Sequence, residues 1–502
     1  MVEFVAALGH LAALDVLVMM TVGVAAGLVI GVVPGLGGLA TLALLLPFTY
    51  GLDTFPALGL VLGAYSALYF GGSITAILFN TPGTGEQVVT TFDGYPMTRR
   101  GEGARALGAS ATASALGGLV GAALLIVAAP VFKQIIVLVR PPEMFALALL
   151  GVAAIGVVSA SSVTKGLISG LVGLVLSFVG YDPITGVPRF TGGALTLFDG
   201  LGITAMTLGL FAVAEMIFLY ARGRSIAERG AEGAAAASGA GVFTGIRDAL
   251  RNLRTVAEGG LIGAFTGMLP GMGGTVAMVF SYARARQRAP DPSRFGTGEV
   301  VGVIAPEAAN NAKEGGSFVP TVAFGIPGSS GMAIFIGIFL ILGIEPGPKM
   351  LTTQLDVTYF VALAIAATSV VASVVGLASA TVIARAAYLP VAVLAPVLMA
   401  VAFLGAYLDT QTLTTLAVVA VAGVVGFWLR VTGYSCAGVI LGFVMGPLVE
   451  KYLFLSLQAY GGGFVARPLV LAIAAVSLVI VLGPYIRRAR RRRAAAREEA
   501  RP

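Results

Sequence analysis

Runs of roughly 17 to 25 predominantly apolar residues recur from Leu11 to Ile486, and that is the length an α-helix needs to cross a hydrocarbon core of about 30 Å. About ten to twelve such runs can be counted, joined mostly by short polar connections. Only 11% of the residues are charged and 57% are hydrophobic, whereas soluble domains carry roughly 25% charge. The expectation is an all-α polytopic membrane protein of about ten to twelve transmembrane helices, some of them broken or re-entrant. The first run, Leu11 to Val33, reads as a retained span: the stretch before it has no Lys or Arg and no small-residue cleavage site leads into a polar chain.

Glycine is abundant at 69 residues, and in membrane helices small residues let backbones approach closely and let helices break. The single cysteine, Cys436, excludes an internal disulfide, and the single histidine, His10, excludes a His-cluster metal site. No Gly-Lys-Ser/Thr nucleotide loop and no serine-histidine arrangement is present, so hydrolysis and phosphoryl transfer lack their parts and the chain does not read as an enzyme. No cofactor is expected. The net charge of +7 is concentrated in the tail, residues 487–502, from Arg487 to Arg501. Beside a membrane span this basic run reads as a cytoplasmic anchor and not as a nucleic-acid site.

The chain also repeats itself. Gly27 to Gly38, GLVIGVVPGLGG, is matched 236 residues later by Gly263 to Gly274, GAFTGMLPGMGG, with six identities in twelve. Gly71 to Gly83, GGSITAILFNTPG, is matched in the same order by Gly315 to Gly328, GGSFVPTVAFGIPG, the offset drifting from 244 to 245 as if one residue had been inserted. Two motifs in one order imply duplication. The division read from this is repeat 1 over 1–220, an Arg-rich cytoplasmic linker over 221–258, repeat 2 over 259–486 and the basic tail.

Loop charge assigns the halves opposite orientations. No Lys or Arg flanks the first motif in half one, but its counterpart lies between Arg247, Arg251 and Arg254 on one side and Arg284, Arg286, Arg288 and Arg294 on the other. After the second motif the bias reverses, with Arg99, Arg100 and Arg105 in half one and only Lys349 in half two. Positive loops face the cytoplasm, so two inverted structural repeats are expected. Because both flanks of Gly259 to Phe280 are Arg-rich, that segment is expected to be a re-entrant pair of half-helices turning at Pro270 to Gly274, with Leu28 to Leu46 its candidate counterpart.

A Pro-Gly break frees amides and carbonyls, and the half-helix that follows presents a partially positive end. Two such ends converging would attract a carboxylate, and freed carbonyls would suit Na+. The candidate substrate-binding residues are therefore Pro34, Gly35, Gly37 and Gly38; Asn80, Thr81, Pro82, Gly83 and Thr84; Pro270, Gly271, Gly273, Gly274 and Thr275; and Pro327, Gly328, Ser329 and Ser330. Apart from Lys313 these regions offer hydroxyls, amides and backbone, which predicts a neutral polar site. In PEAANNAKEGG, Pro306 to Gly316, Glu307, Asn310, Asn311 and Glu314 share one helical face. A carboxylate in lipid is a functional candidate by default, which makes these four coupling-ion candidates, with capping or pairing to Lys313 as the structural alternative. Glu86 and Asp93 read as interfacial.

At Gly31 to Gly38, Asn80 to Met97 (NTPGTGEQVVTTFDGYPM) and Ala305 to Met350, including PEAANNA and GIPGS, the chain resembles the large membrane subunit of tripartite tricarboxylate transporters, the TctA type. The resemblance implies a secondary transporter in the bacterial inner membrane that imports a small carboxylate, driven by a Na+ or H+ gradient. It also implies two partners, a periplasmic substrate-binding protein and a small membrane subunit of about four spans. Rival readings are a channel or exporter working without a binding protein and, lacking its catalytic groups, a membrane-embedded enzyme.

Overall fold

A computed structural model describes residues 2–33, 36–136, 138–158, 162–182, 185–222, 241–269, 273–386, 391–479 and 481–482. Pro34, Gly35, Pro270, Gly271, residues 223–240 of the 221–258 linker and the basic tail lie outside the described residues. The chain runs through α1 (Val2–Leu11), α2 (Leu14–Gly31), α3 (Gly38–Leu45), α4 (Thr54–Phe79), α5 (Val88–Arg99), α6 (Gly103–Ile136), α7 (Pro141–Val158) and α8 (Val163–Leu176). It continues with α9 (Ile203–Thr207), a π-helical turn at Leu208–Val213, α10 (Ala214–Arg222), α11 (Gly241–Arg251), α12 (Leu253–Met268), α13 (Gly273–Arg288) and α14 (Val301–Phe324). It ends with α15 (Ser330–Ile341), α16 (Pro348–Leu351), α17 (Leu355–Ala386), α18 (Val391–Thr410), α19 (Leu413–Val431) and α20 (Cys436–Tyr460). Among the described residues the only strand pairing is a two-residue ladder, Gly180–Tyr181 with Pro188–Arg189.

Eight described helices are long and apolar enough to cross a membrane, and six further apolar helices of 10–17 residues accompany them. The protein is an all-α, multi-pass membrane protein. Among the described residues several apolar runs are divided into half-length helices, α3 and α15 among them. One further long helix is charged and not uniformly apolar: α14 carries Glu307, Lys313 and Glu314, yet its 24 residues are buried almost throughout. At 1.5 Å per residue it is about 36 Å long, enough to span.

The described residues fall into two compact units, 1–133 with 202–427, and 134–201 with the chain from Trp428. In the second unit α8 and α20 approach closely, Gly173 against the Val439 carbonyl and Gly442 against that of Gly170. Ion pairs of 2.6 Å join Arg189 to Glu450 and Arg467 to Glu143 there.

The first unit is organised by two helix pairs, α2 on α4 and α12 on α14, that meet in one shared register. A Cβ on Gly27 would run into the carbonyl of Ala64, and one on Gly263 into that of Ala309. Gly31 faces the Leu68 carbonyl as Gly267 faces that of Lys313, and Gly71 faces Leu28 as Gly316 faces Ala264. Without side chains at these positions the backbones touch, which is where lipid-embedded helices gain their packing. These contacts keep the 236 spacing in α2 and α12 and a constant 245 in α4 and α14. Packing therefore equates Gly71 with Gly316 and not with Gly315, and needs no inserted residue within the second motif. The shared register continues past the helix ends: α4 stops at Asn80 (φ 53°, ψ 30°) and α14 at Gly325 (φ 68°, ψ 20°), both left-handed.

The pairs also exchange neighbours. α6 lies on α14, with Gly117 against the Ala308 carbonyl and Gly121 against that of Ala312. In the reciprocal contact α17 lies on α4, where Thr368 donates to Ser66 at 2.9 Å and Gly376 meets the Phe70 ring. In the same reciprocal sense α1 reaches α17 through Phe4 and Tyr359, and α11 lies on α6 with an Arg105–Asp248 pair of 2.6 Å.

α12 and α13 run antiparallel as a hairpin. Gly259 near the middle of one packs on Ser281 of the other, and Glu258 takes Arg254 and Arg284 at 3.2 Å and also Arg288. Both Arg-rich flanks therefore meet at one end. The candidate counterpart behaves differently: α3 turns away from α2 and packs on α4 and the Leu208–Val213 turn. There Leu36 and Ala40 share a cluster with Met216, Leu219 and Ala395. α3 carries no Arg that would draw its far end back to the start of α2.

Candidate functional site: a charged cavity where the two helix pairs meet

The segments that leave α4 and α14 are held by backbone. Thr81 donates its amide to Thr75 O and Ile326 donates to Pro320 O, at 3.3 and 3.4 Å. Gly83 then lies against Gly31 and Gly72, and Gly328 against Gly267 and Ser317. Asn80, Thr81, Pro82 and Gly83, with Pro327 and Gly328, therefore form a frame that fixes where the next residues emerge. Those next residues line a cavity of about 220 Å³. Thr84, Gly85 and Glu86 come from the first frame, and Ser329, Ser330 and Gly331 from the second. Gly38 and Leu39 open α3, Gly273 and Thr275 open α13, and α4 and α14 contribute Tyr65, Tyr69 and Lys313. Gly37 is the N-cap of α3, just outside. The sequence-selected residues Gly38, Thr84, Gly273, Thr275, Ser329 and Ser330 are thus brought together around one space.

The starts of α3, α13 and α15 all border the cavity, and such starts favour an anion. Ser329 caps α15 by accepting the Met332 amide, and Thr275 donates to Gly85 O at 3.4 Å, joining the α13 start to the first frame. Gln87, fully buried, accepts from Thr84 through both its amide and its hydroxyl and donates to Tyr69 O at 3.2 Å.

The site is not neutral, contrary to the expectation from residue types. Lys313 Nζ lies 2.9 Å from both oxygens of Glu86, 2.6 Å from Glu314 and 4.8 Å above the Tyr69 ring. The Lys313 side chain is only 2% exposed, Glu314 3%, and Glu86 23%. Sequence reasoning missed Glu86 and the two tyrosines. A usable signal was present: at the packing offset of 245, Lys313 replaces Leu68, Glu314 replaces Tyr69, Glu307 replaces Leu62 and Glu86 stands against Gly331. Every one of these charges breaks the repeat.

The four coupling-ion candidates separate. Glu314 joins the cavity through Lys313. Glu307 is wholly buried elsewhere along α14, where Ser73 (2.8 and 2.9 Å), Ser110 and Ser114 (3.0 Å each) and Thr90 donate to its carboxylate. Between them, both polar ends of Asn310 and the Oδ1 of Asn311 are buried without a hydrogen-bond partner among the described residues. Asp93 is fully buried. It accepts the amides of Gly296, Gly298 and Glu299 at 2.8 Å and the Tyr282 hydroxyl at 2.8 Å, pinning the entry to α14.

The sequence profile of the "Tripartite tricarboxylate transporter TctA family" matches residues 17–441. The chain belongs to that family. This TctA-family protein is 34% identical over 472 residues, 93% of each chain, to the "Uncharacterized 52.8 kDa protein in TAR-I ttuC' 3'region" of Agrobacterium vitis. It is 30% identical over 223 residues, 44% of this chain and 92% of the other, to the "Uncharacterized protein in TAR-II ttuC' 3'region" of the same organism. No solved structure matches it. The family is one of transporters and not of enzymes, and its members are components of tripartite systems. The resemblance read from PEAANNA and GIPGS and the family match agree.

Proposed function

We propose that the protein is the transport subunit of a binding-protein-dependent secondary transporter that imports a small carboxylate of the tricarboxylate or dicarboxylate class. The observation that carries this reading is Lys313, a buried cation at a half-open cavity bordered by three helix starts. That is electrostatic equipment for an anion in a setting where charge is otherwise avoided. Its partners are a periplasmic binding protein that delivers the substrate and a small membrane subunit of about four spans, in the bacterial inner membrane with the tail 487–502 cytoplasmic.

Residues 1–220 and 259–486 act as inverted repeats joined by 221–258. The common packing register of α2–α4 and α12–α14 supports a duplication, and the exchange of α6 and α17 supports a two-fold relation between the copies. Na+ or H+ drives uptake through Glu307, Asn310, Asn311 and Glu314. A buried carboxylate ringed by hydroxyls alone is stabilised either by taking a proton or by a hard cation that those oxygens suit.

Uptake of labelled citrate and succinate into proteoliposomes holding both membrane subunits, with binding protein and an imposed gradient, tests the reading. Accumulation is expected only with binding protein and a Na+ or H+ gradient. Flux indifferent to both gradients removes secondary transport, and flux indifferent to the binding protein favours a channel.

A further inference from the structure

We propose that Glu86 holds the place of the substrate's own carboxylate, so that substrate entry exchanges one carboxylate for another on Lys313. This rests on the carboxylate reading above and specifies its chemistry. The two carboxylates on Lys313 are held differently. Glu314 belongs to α14 itself and is 3% exposed, whereas Glu86 arrives from the connection between α4 and α5 and is 23% exposed, on the cavity side. Glu86 meets the ammonium through both oxygens at 2.9 Å, as an incoming carboxylate would.

The surroundings of that carboxyl group are built for an anion and not for this glutamate in particular. Its carboxyl carbon lies where a side chain on Gly274 would stand. The second residue of α13 thus leaves the space empty, and the group rests at the start of a 16-residue helix. The rest of the cavity, about 220 Å³, corresponds to roughly seven waters' share of liquid volume and offers the hydroxyls of Ser329 and Ser330 to further substrate oxygens. At Lys313 itself the exchange is one carboxylate for one. Lys313 keeps Glu314 throughout and is never left without an anion, so the penalty of baring a buried ammonium does not arise. The duplication sharpens the point, since the other copy has Leu68 and Gly331 at the two positions and folds the same frame without an ion pair.

The test is equilibrium binding of citrate, succinate and benzoate to the purified two-subunit membrane complex, wild type against Glu86→Gln. Removing the resident anion while keeping its shape is expected to tighten binding of at least one acid by about tenfold or more at unchanged Tm. Glu86→Gln binding equally or more weakly, in folded protein, overturns the exchange. Hydrogen–deuterium exchange on the wild-type complex gives a second reading that needs no variant. The bound acid is expected to speed exchange at residues 84–87 while protecting α14, and protection of both overturns the proposal. If no acid binds wild type or variant, the carboxylate reading falls with it; if wild type binds without gain in the variant and without release of 84–87, this inference alone falls.

Discussion

Lys313 stands in α14 where Leu68 stands in α4: the carbonyl of each lies against the last glycine of its partner helix before the break, Gly267 and Gly31 respectively. The scaffold is the same on both sides, so the ammonium is not needed to make the fold. It is a charge placed on a framework that its own duplicate builds with a leucine, and this separates positions that hold the structure from positions that act.

Lys313→Met is expected to reduce carboxylate affinity by about 3 kcal/mol, roughly a hundredfold, and to lower stability by on the order of 3 to 5 kcal/mol, because Glu86 and Glu314 are left close together without a cation. The triple variant Lys313→Met, Glu86→Gln, Glu314→Gln is expected to recover stability but not binding. Thermal unfolding of the purified complex and citrate binding measure the two effects, and recovery of binding in the triple variant would remove Lys313 from recognition.

Gly27→Ala and Gly263→Ala are each expected to destabilise by about 1 to 3 kcal/mol, since the new methyl must displace the backbone of the facing helix. Gly37→Ala, with nothing within 4 Å of the added atom, is expected to be nearly silent in stability. Comparable Tm losses at all three positions would show that glycine here serves backbone conformation and not close approach.

Glu307→Gln keeps an acceptor for the hydroxyls of Ser73, Ser110 and Ser114 while removing the charge. Folding is expected to survive with a stability change within about 1.5 kcal/mol, and gradient-driven accumulation to fall to the passive level. Proteoliposome uptake with Na+ and H+ gradients applied separately checks this, and unchanged gradient dependence would exclude Glu307 from coupling.

Asp53 and Arg286 are both exposed at helix ends. In a Cys436→Ser background, Asp53→Cys and Arg286→Cys are expected to react with a membrane-impermeant thiol reagent from opposite sides of the membrane. Labelling from one side for both would contradict the inverted arrangement.

The apolar runs and the Pro-Gly glycines were legible because they are local properties: lipid demands a minimum helix length, and a glycine that lets two backbones touch is visible wherever it recurs. The hairpin of α12 and α13 was legible as well, since Arg on both flanks requires both ends on one side. The parting of α3 from α2 was not, because it depends on the Leu208–Val213 turn with which α3 packs. Thr84, Ser329 and Ser330 were selected for their polarity beside a break, and they meet at the cavity. Gly83 and Gly328 were selected with them but stand behind it as packing contacts.

The sequence by itself determined a duplicated, all-helical membrane protein and its family, through apolar length, glycine spacing and motifs that need no third dimension. Only the tertiary structure decided that Glu86, more than two hundred residues before Lys313, is its partner, and that Glu307 and Glu314, on one helix, serve different surroundings. The reason is that a buried charge is defined by whatever lies across from it, and what faces α14 is supplied by α4, α5, α6 and the α4–α5 connection, all distant along the chain.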